Sequence, residues 1–173
     1  MPCYQGELDG LCGPYAIANA FEECGYHNMH ELVFQTACCA ASGRRWPSLL
    51  WEGTSFGDLQ RMIRRALDHH AAGGLAVRYP FLRNTPATNR EYWRRFDEVF
   101  ENEGVLCGIV GLSQPSNHWI VISRDGSRLW FTDSTPSYPY QRKNRASIFA
   151  GERRRRPTQW LVERSELAVF TTV

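Results

Sequence analysis

At Gly104 the hydrophobic period of this 173-residue chain changes, from helix-like in front to strand-like behind. Apolar side chains recurring at i, i+3 and i+4 mark helices, whereas alternating or short continuous apolar runs mark strands. Ahead of Gly104, Ala16, Ile17, Ala20 and Phe21 form an apolar stripe over Gly13 to Cys24. Pro14 falls in the first turn of that helix, where a missing N–H costs little, and Gly25 follows as a C-cap. A second helix is expected over Met29 to Ala41. A third runs from a cap at Thr54 or Ser55 to about His70, with Leu59, Met62, Ile63, Ala66 and Leu67 on one face. Leu75 to Tyr79 reads as a short strand, and Thr88 with Glu91 makes a capping box for a fourth helix.

Behind Gly104, Val105 to Leu112 is an apolar run suited to a central strand. His118 to Ser123 and Arg128 to Asp133 flank Asp125-Gly126, a hairpin signal. Pro136 to Gly151 reads as loop, and Trp160 to Glu163 and Ala168 to Thr172 as two short strands. A helical front half packed on an antiparallel back half is an α+β arrangement. With no repeat and no linker, residues 1–173 are expected to form a single domain.

Composition narrows the function classes. No apolar run approaches the roughly 20 residues that span a bilayer, so no membrane partner is expected. The segment Met1-Pro2-Cys3-Tyr4-Gln5 has neither a basic stretch nor an apolar core, so the expected location is cytoplasmic, or exported without a signal peptide. The six cysteines Cys3, Cys12, Cys24, Cys38, Cys39 and Cys107 contain no CxxC pair, and without a secretion signal they do not read as a disulfide scaffold. Most are then buried small hydrophobes. Cys12 stands apart.

A cysteine opening a helix is well placed to carry negative charge, because the dipole and the free N–H groups of the first turn favour an anion there. Cys12 occupies such a place in Gly10-Leu11-Cys12-Gly13-Pro14, and its small neighbours leave room for a substrate carbonyl to approach the sulfur. A thiol nucleophile also needs a base on a rigid element. His118 opens one hairpin strand and Asp133 ends its partner, which makes the two neighbours by geometry. Taken alone, each residue has a bland reading as core cysteine, satisfied histidine or turn aspartate. Their order and context together point to a nucleophile, a base and an orienting carboxylate.

Gln5 to Phe21, with His118-Trp119 and Asp133-Ser134, resembles the papain-like cysteine peptidase superfamily, most closely its compact bacterial members similar to leader-peptide peptidases. The resemblance implies a papain-like fold, with a Cys12–His118–Asp133 triad that hydrolyses peptide or isopeptide bonds through a thioester. It also implies an oxyanion hole made by the Cys12 N–H and Gln5. Trp119, beside His118, reads either as a screen over the His118–Asp133 contact or, as is commoner for an aromatic on a strand, as plain core. Asp9-Gly10-Leu11-Cys12 is similar to the opening of ovarian-tumour deubiquitinases, although Ile120 stands where those enzymes carry a polar residue. Deubiquitinase-like, acyltransferase and deamidase activities on the same fold are the neighbouring alternatives. The implied partner is a protein or peptide substrate, a ubiquitin-like or host protein among the candidates. A scarcity of lysine, with Lys143 the only one, fits either a GC-rich genome or work around lysine modification.

Two rivals remain. Cys24, His27, His30, Cys38 and Cys39 form a Cys-x2-His-x2-His-x7-Cys-Cys array, but structural zinc sites pair their ligands in knuckles, so no metal and no cofactor are expected. Arg153 to Arg156, with Arg61, Arg64, Arg65, Arg94 and Arg95, could serve a nucleic-acid or acidic-partner module. The net charge of only +2 disfavours nucleic acid.

Overall fold

The computed structural model describes residues 10–41, 43, 46–71, 73–126, 128–135, 140–152, 156 and 158–173. Five helices and a mainly antiparallel seven-stranded sheet give an α+β architecture. The helices are α1 (Cys12–Glu23), α2 (His30–Cys38), α3 (Trp46–Glu52), α4 (Phe56–His70) and α5 (Asn89–Phe100). The strands are β1 (Leu75–Arg78), β2 (Val105–Gln114), β3 (His118–Asp125), β4 (Arg128–Thr132), β5 (Tyr140–Lys143), β6 (Ile148–Ala150) and β7 (Trp160–Thr172). They lie in the order β1-β7-β2-β3-β4-β5, with β6 added parallel to β7. No helix among the described residues is long and apolar enough to cross a membrane.

Residue parity in the central strands explains the layers. Cys107, Ile109, Trp119, Val121, Ala168 and Phe170 face one cluster, which they share with α1, α2 and α4 and with Leu49 of α3. Val110, Leu112, Ile120, Ile122, Leu167 and Val169 face a second cluster, which includes Tyr92, Trp93 and Phe96 of α5. The apolar run in β2 is therefore buried on both sides, as a central strand should be. The expectation of helices gathered in front of a rear sheet holds only in part: α5 covers the opposite face, and β1 joins the sheet from the front half.

Helix α1 is buried along most of its length, from Cys12 to Phe21 except Tyr15. It ends as its sequence dictates. Gly25 takes φ +88°, its N–H donates to the Glu22 carbonyl, and the Tyr26 N–H donates to the Phe21 carbonyl. The rings of Phe21 and Tyr26 then pack 5.5 Å apart, completing a Schellman stop with its apolar contact. Ser55 caps α4 by accepting from the Asp58 N–H at 3.2 Å, and Thr88 caps α5 by accepting from the Glu91 N–H at 3.1 Å.

Three stretches differ from the sequence expectation. Helix α3 was not foreseen. The stretch read as loop between Pro136 and Gly151 holds β5, a 3-10 turn at Arg145–Ser147 and β6. The two strands expected after Trp160 are one strand, β7, whose pairing with β2 slips: Val110 pairs with Leu167, but Leu112 pairs with Val162. The extra residues, Glu163 to Glu166, bulge out of the ladder.

Candidate active site

Cys12 is the first residue of α1 and only 7 % exposed. Its position is fixed from both sides by close packing. The Gly10 N–H donates to the Leu50 carbonyl at 2.8 Å, and a Cβ at Gly10 would come within 2.7 Å of the Leu49 carbonyl oxygen. A Cβ at Gly13 would meet the Thr54 side chain at 2.6 Å. The small residues beside Cys12 thus accommodate the protein's own α3 and Thr54. Leu11, the N-cap of α1, supplies no side-chain hydrogen bond to the first turn, and Pro14 has no N–H. Among the described residues, the Cys12 and Gly13 amides are the donors left at that end.

The β3–β4 hairpin brings the other two residues. Asp125 pairs with Arg128 across a tight turn in which Gly126 takes φ +57°, and the register runs back to Val121 opposite Thr132. His118 opens β3, and Asp133 directly follows β4. His118 Nε2 lies 2.7 Å from Asp133 Oδ1, with both side chains largely buried. Asp133 Oδ1 also accepts from the Thr135 N–H at 2.8 Å, which anchors the carboxylate. His118 and Cys12 line the same cleft.

Electrostatics follow from this arrangement. Burial pulls the His118 ring toward its neutral form. Hydrogen bonds and charge from Asp133 and Cys12 outweigh that, raising its pKa to about 9. Burial alone would raise Asp133, but the bond to His118, its charge and the Thr135 amide hold the carboxyl below its ordinary value. His118 and Asp133 can therefore sustain an imidazolium–carboxylate pair beside Cys12.

Cys12 and His118 open onto a cleft of about 410 Å3. Its walls include Glu52 to Phe56 between α3 and α4, Gly111 to Ser113 of β2, Asn117, Trp119, Glu163 and Glu166. Trp119 is buried. Its Nε1–H donates to the Thr54 carbonyl at 2.6 Å and its ring stacks on Phe56, so it pins one wall of the cleft. Thr54, Glu52, Glu163 and Glu166 were missed from the sequence. For Glu166 the signal was the polar stretch after Glu163, read there as a gap between strands, whereas Glu163 was read as the end of the first strand.

Other sequence candidates fall elsewhere. Gln5, Asp9, Cys3 and Arg153 to Arg155 lie outside the described residues. The Cys/His array is dispersed: Cys24 Sγ lies 3.6 Å from Cys107 Sγ, while His27 and His30 each sit 3.4 Å from Glu22. Among the described residues no group of His, Cys, Asp or Glu could hold a metal ion. Arg61 pairs with Asp58, Arg94 with Glu98, and Arg95 with the Asn84 carbonyl and the Phe81 ring, so these arginines are engaged within the fold. No family model, curated protein or solved structure matches the chain.

Proposed function

We propose that this chain is a papain-like cysteine hydrolase acting on peptide or isopeptide bonds, with Cys12 as nucleophile, His118 as general base and acid, and Asp133 as the residue that orients the imidazole. One observation carries it: a helix-opening cysteine and a carboxylate-bound histidine, 106 positions apart in the chain, line one cleft.

The chemistry runs as a thiol acyl transfer. His118 takes the Cys12 proton, and the thiolate attacks the scissile carbonyl. The oxyanion forms beside the Cys12 amide at the positive end of α1, and losing one donor of this kind typically costs about 100- to 1,000-fold in rate. Gln5 is the second donor by resemblance. The imidazolium then protonates the leaving amine, and water, deprotonated by His118, cleaves the thioester to release the acid and restore the thiol. Asp133 holds the ring so that one nitrogen faces sulfur throughout. The test is turnover of a peptide library and of ubiquitin-like conjugates by wild type and by Cys12→Ala. Loss of all cleavage in the variant, with binding retained, is the expected outcome; equal cleavage by both proteins overturns the proposal.

A further inference from the structure

We infer that the cleft beside Cys12 is a subsite for a basic side chain, so that the preferred substrate carries arginine or lysine next to the scissile bond; this rests on the hydrolase reading above. The slip of β7 against β2 puts Glu163 and Glu166 into the cleft wall, and Glu52 at the end of α3 adds a third carboxylate. No arginine or lysine lines the cleft among the described residues. Arg164, lying between the two glutamates in sequence, turns its guanidinium to the Ala87 carbonyl instead. Glu163 and Glu166 thus line the same cleft, and burial together with the Glu163 charge lifts Glu166 to about 7.

The fold makes room for this costly pair. A Cβ at Gly111 would land on the Glu166 carboxylate, and its neighbours on the other side are Trp119 ring atoms at 3.2 Å, so only glycine at 111 lets Glu166 lie there. Thr54, 8 % exposed, also lines the cleft, and its Oγ1 is buried against Gly13 with no hydrogen-bond partner among the described residues. Ser113 Oγ, on the β2 side of the cleft, is likewise without one. The cleft thus presents carboxylate acceptors and negative charge, which donors and positive charge would complement. The carboxylates are too dispersed to chelate a metal ion. A guanidinium, with five N–H donors spread over a plane, or an ammonium on a flexible stem satisfies such a dispersed set.

Charge selectivity at Cys12 can be read without any turnover. The probes are two methanethiosulfonates, one carrying a trimethylammonium and one a sulfonate, reacted near pH 8 at low ionic strength, where screening is weak. Peptide mapping gives the cation-to-anion rate ratio at Cys12 and at the exposed Cys39, an internal reference. The expected ratio at Cys12 exceeds that at Cys39 by at least tenfold. It collapses toward the Cys39 value in Glu163→Gln/Glu166→Gln, and in wild type at high salt. Equal ratios at the two cysteines, or a Cys12 ratio indifferent to salt and to both glutamines, overturn the subsite. Hydrolysis of peptide pairs differing only in arginine versus glutamine then separates the two proposals. Cleavage with no arginine preference overturns the subsite and leaves the hydrolase. A charge-selective Cys12 with no cleavage of any peptide does the reverse.

Discussion

His118 Nε2 sits 2.7 Å from Asp133 Oδ1, a contact made across the open end of a hairpin whose turn lies at the far end of both strands. Pairing runs outward from Gly126 for five residue pairs before the two side chains meet, so the turn fixes the register of the candidate site from a distance. A one-residue slip in that hairpin would carry Asp133 away from the ring.

The first consequence concerns titration. With its pKa raised to about 9 by Asp133 and Cys12, His118 stays protonated well above the ordinary imidazole range near 6.5. Its stabilising contribution is fully present below pH 6.5 and lost as pH rises through about 9. NMR titration of the ring is expected to show a midpoint near 9, falling in Asp133→Ala because burial then acts with less opposition. A wild-type midpoint at or below 6.5 would contradict this.

Glu166 supplies a second pH signature. Its carboxyl is raised to about 7, so its contribution to stability is present below about 4.5 and lost as pH rises through 7. Thermal melts of Glu166→Gln and wild type should therefore diverge with pH. The variant gains on wild type between pH 5 and 8 and is the more stable protein at pH 8. A difference in Tm that does not change with pH would show that the carboxylate is not strained by its surroundings.

Reactivity should run against exposure. Cys39 is exposed and Cys12 is 7 % exposed, so access alone ranks Cys39 first for alkylation. The helix terminus and the His118 partner reverse that order. Iodoacetamide at neutral pH, read by peptide mapping, is expected to modify Cys12 faster than Cys39. Cys107, fully buried against Cys24, should be the slowest of the three. Faster labelling of Cys39 would remove the reason for treating Cys12 as a nucleophile.

The caps offer a stability test near the cleft. Removing an N-cap side chain typically costs about 1 kcal/mol. Ser55→Ala should cost more than Thr88→Ala, since Ser55 also donates its hydroxyl proton to the buried Asp58 carboxylate, whereas Thr88 caps in solvent. Urea denaturation of the two variants checks the order, and equal midpoints would contradict it.

Local signals made the Cys12 helix and the hairpin legible. Pro14 and Gly25 bracket α1, Gly126 sets the turn, and His118 and Asp133 follow from the hairpin's register. What stayed hidden depended on tertiary pairing. β5 is a four-residue edge strand, Tyr140 to Lys143, with a charged composition suited to an edge and no apolar face to betray it. The bulge at Glu163 to Glu166 interrupts the alternation of β7, so one strand looks like two, and the residues that line the cleft are those that spoil the pattern. Helix α3 has seven residues and a proline at its second position, too short for a period to register. The arrangement of Thr54 over Gly13 depends on packing between elements far apart in sequence.

The most direct test of the central claim is capture of the acyl-enzyme. Incubation with the peptide panel, acid quenching and intact-mass analysis should reveal an adduct equal to the acyl half of a cleaved peptide. Mapping should place it on Cys12, and hydroxylamine should release it as a thioester. The adduct is expected in wild type, absent in Cys12→Ala, and accumulating far more slowly in His118→Ala. Cleavage that proceeds undiminished in Cys12→Ala, or an adduct mapped to another residue, would contradict the account.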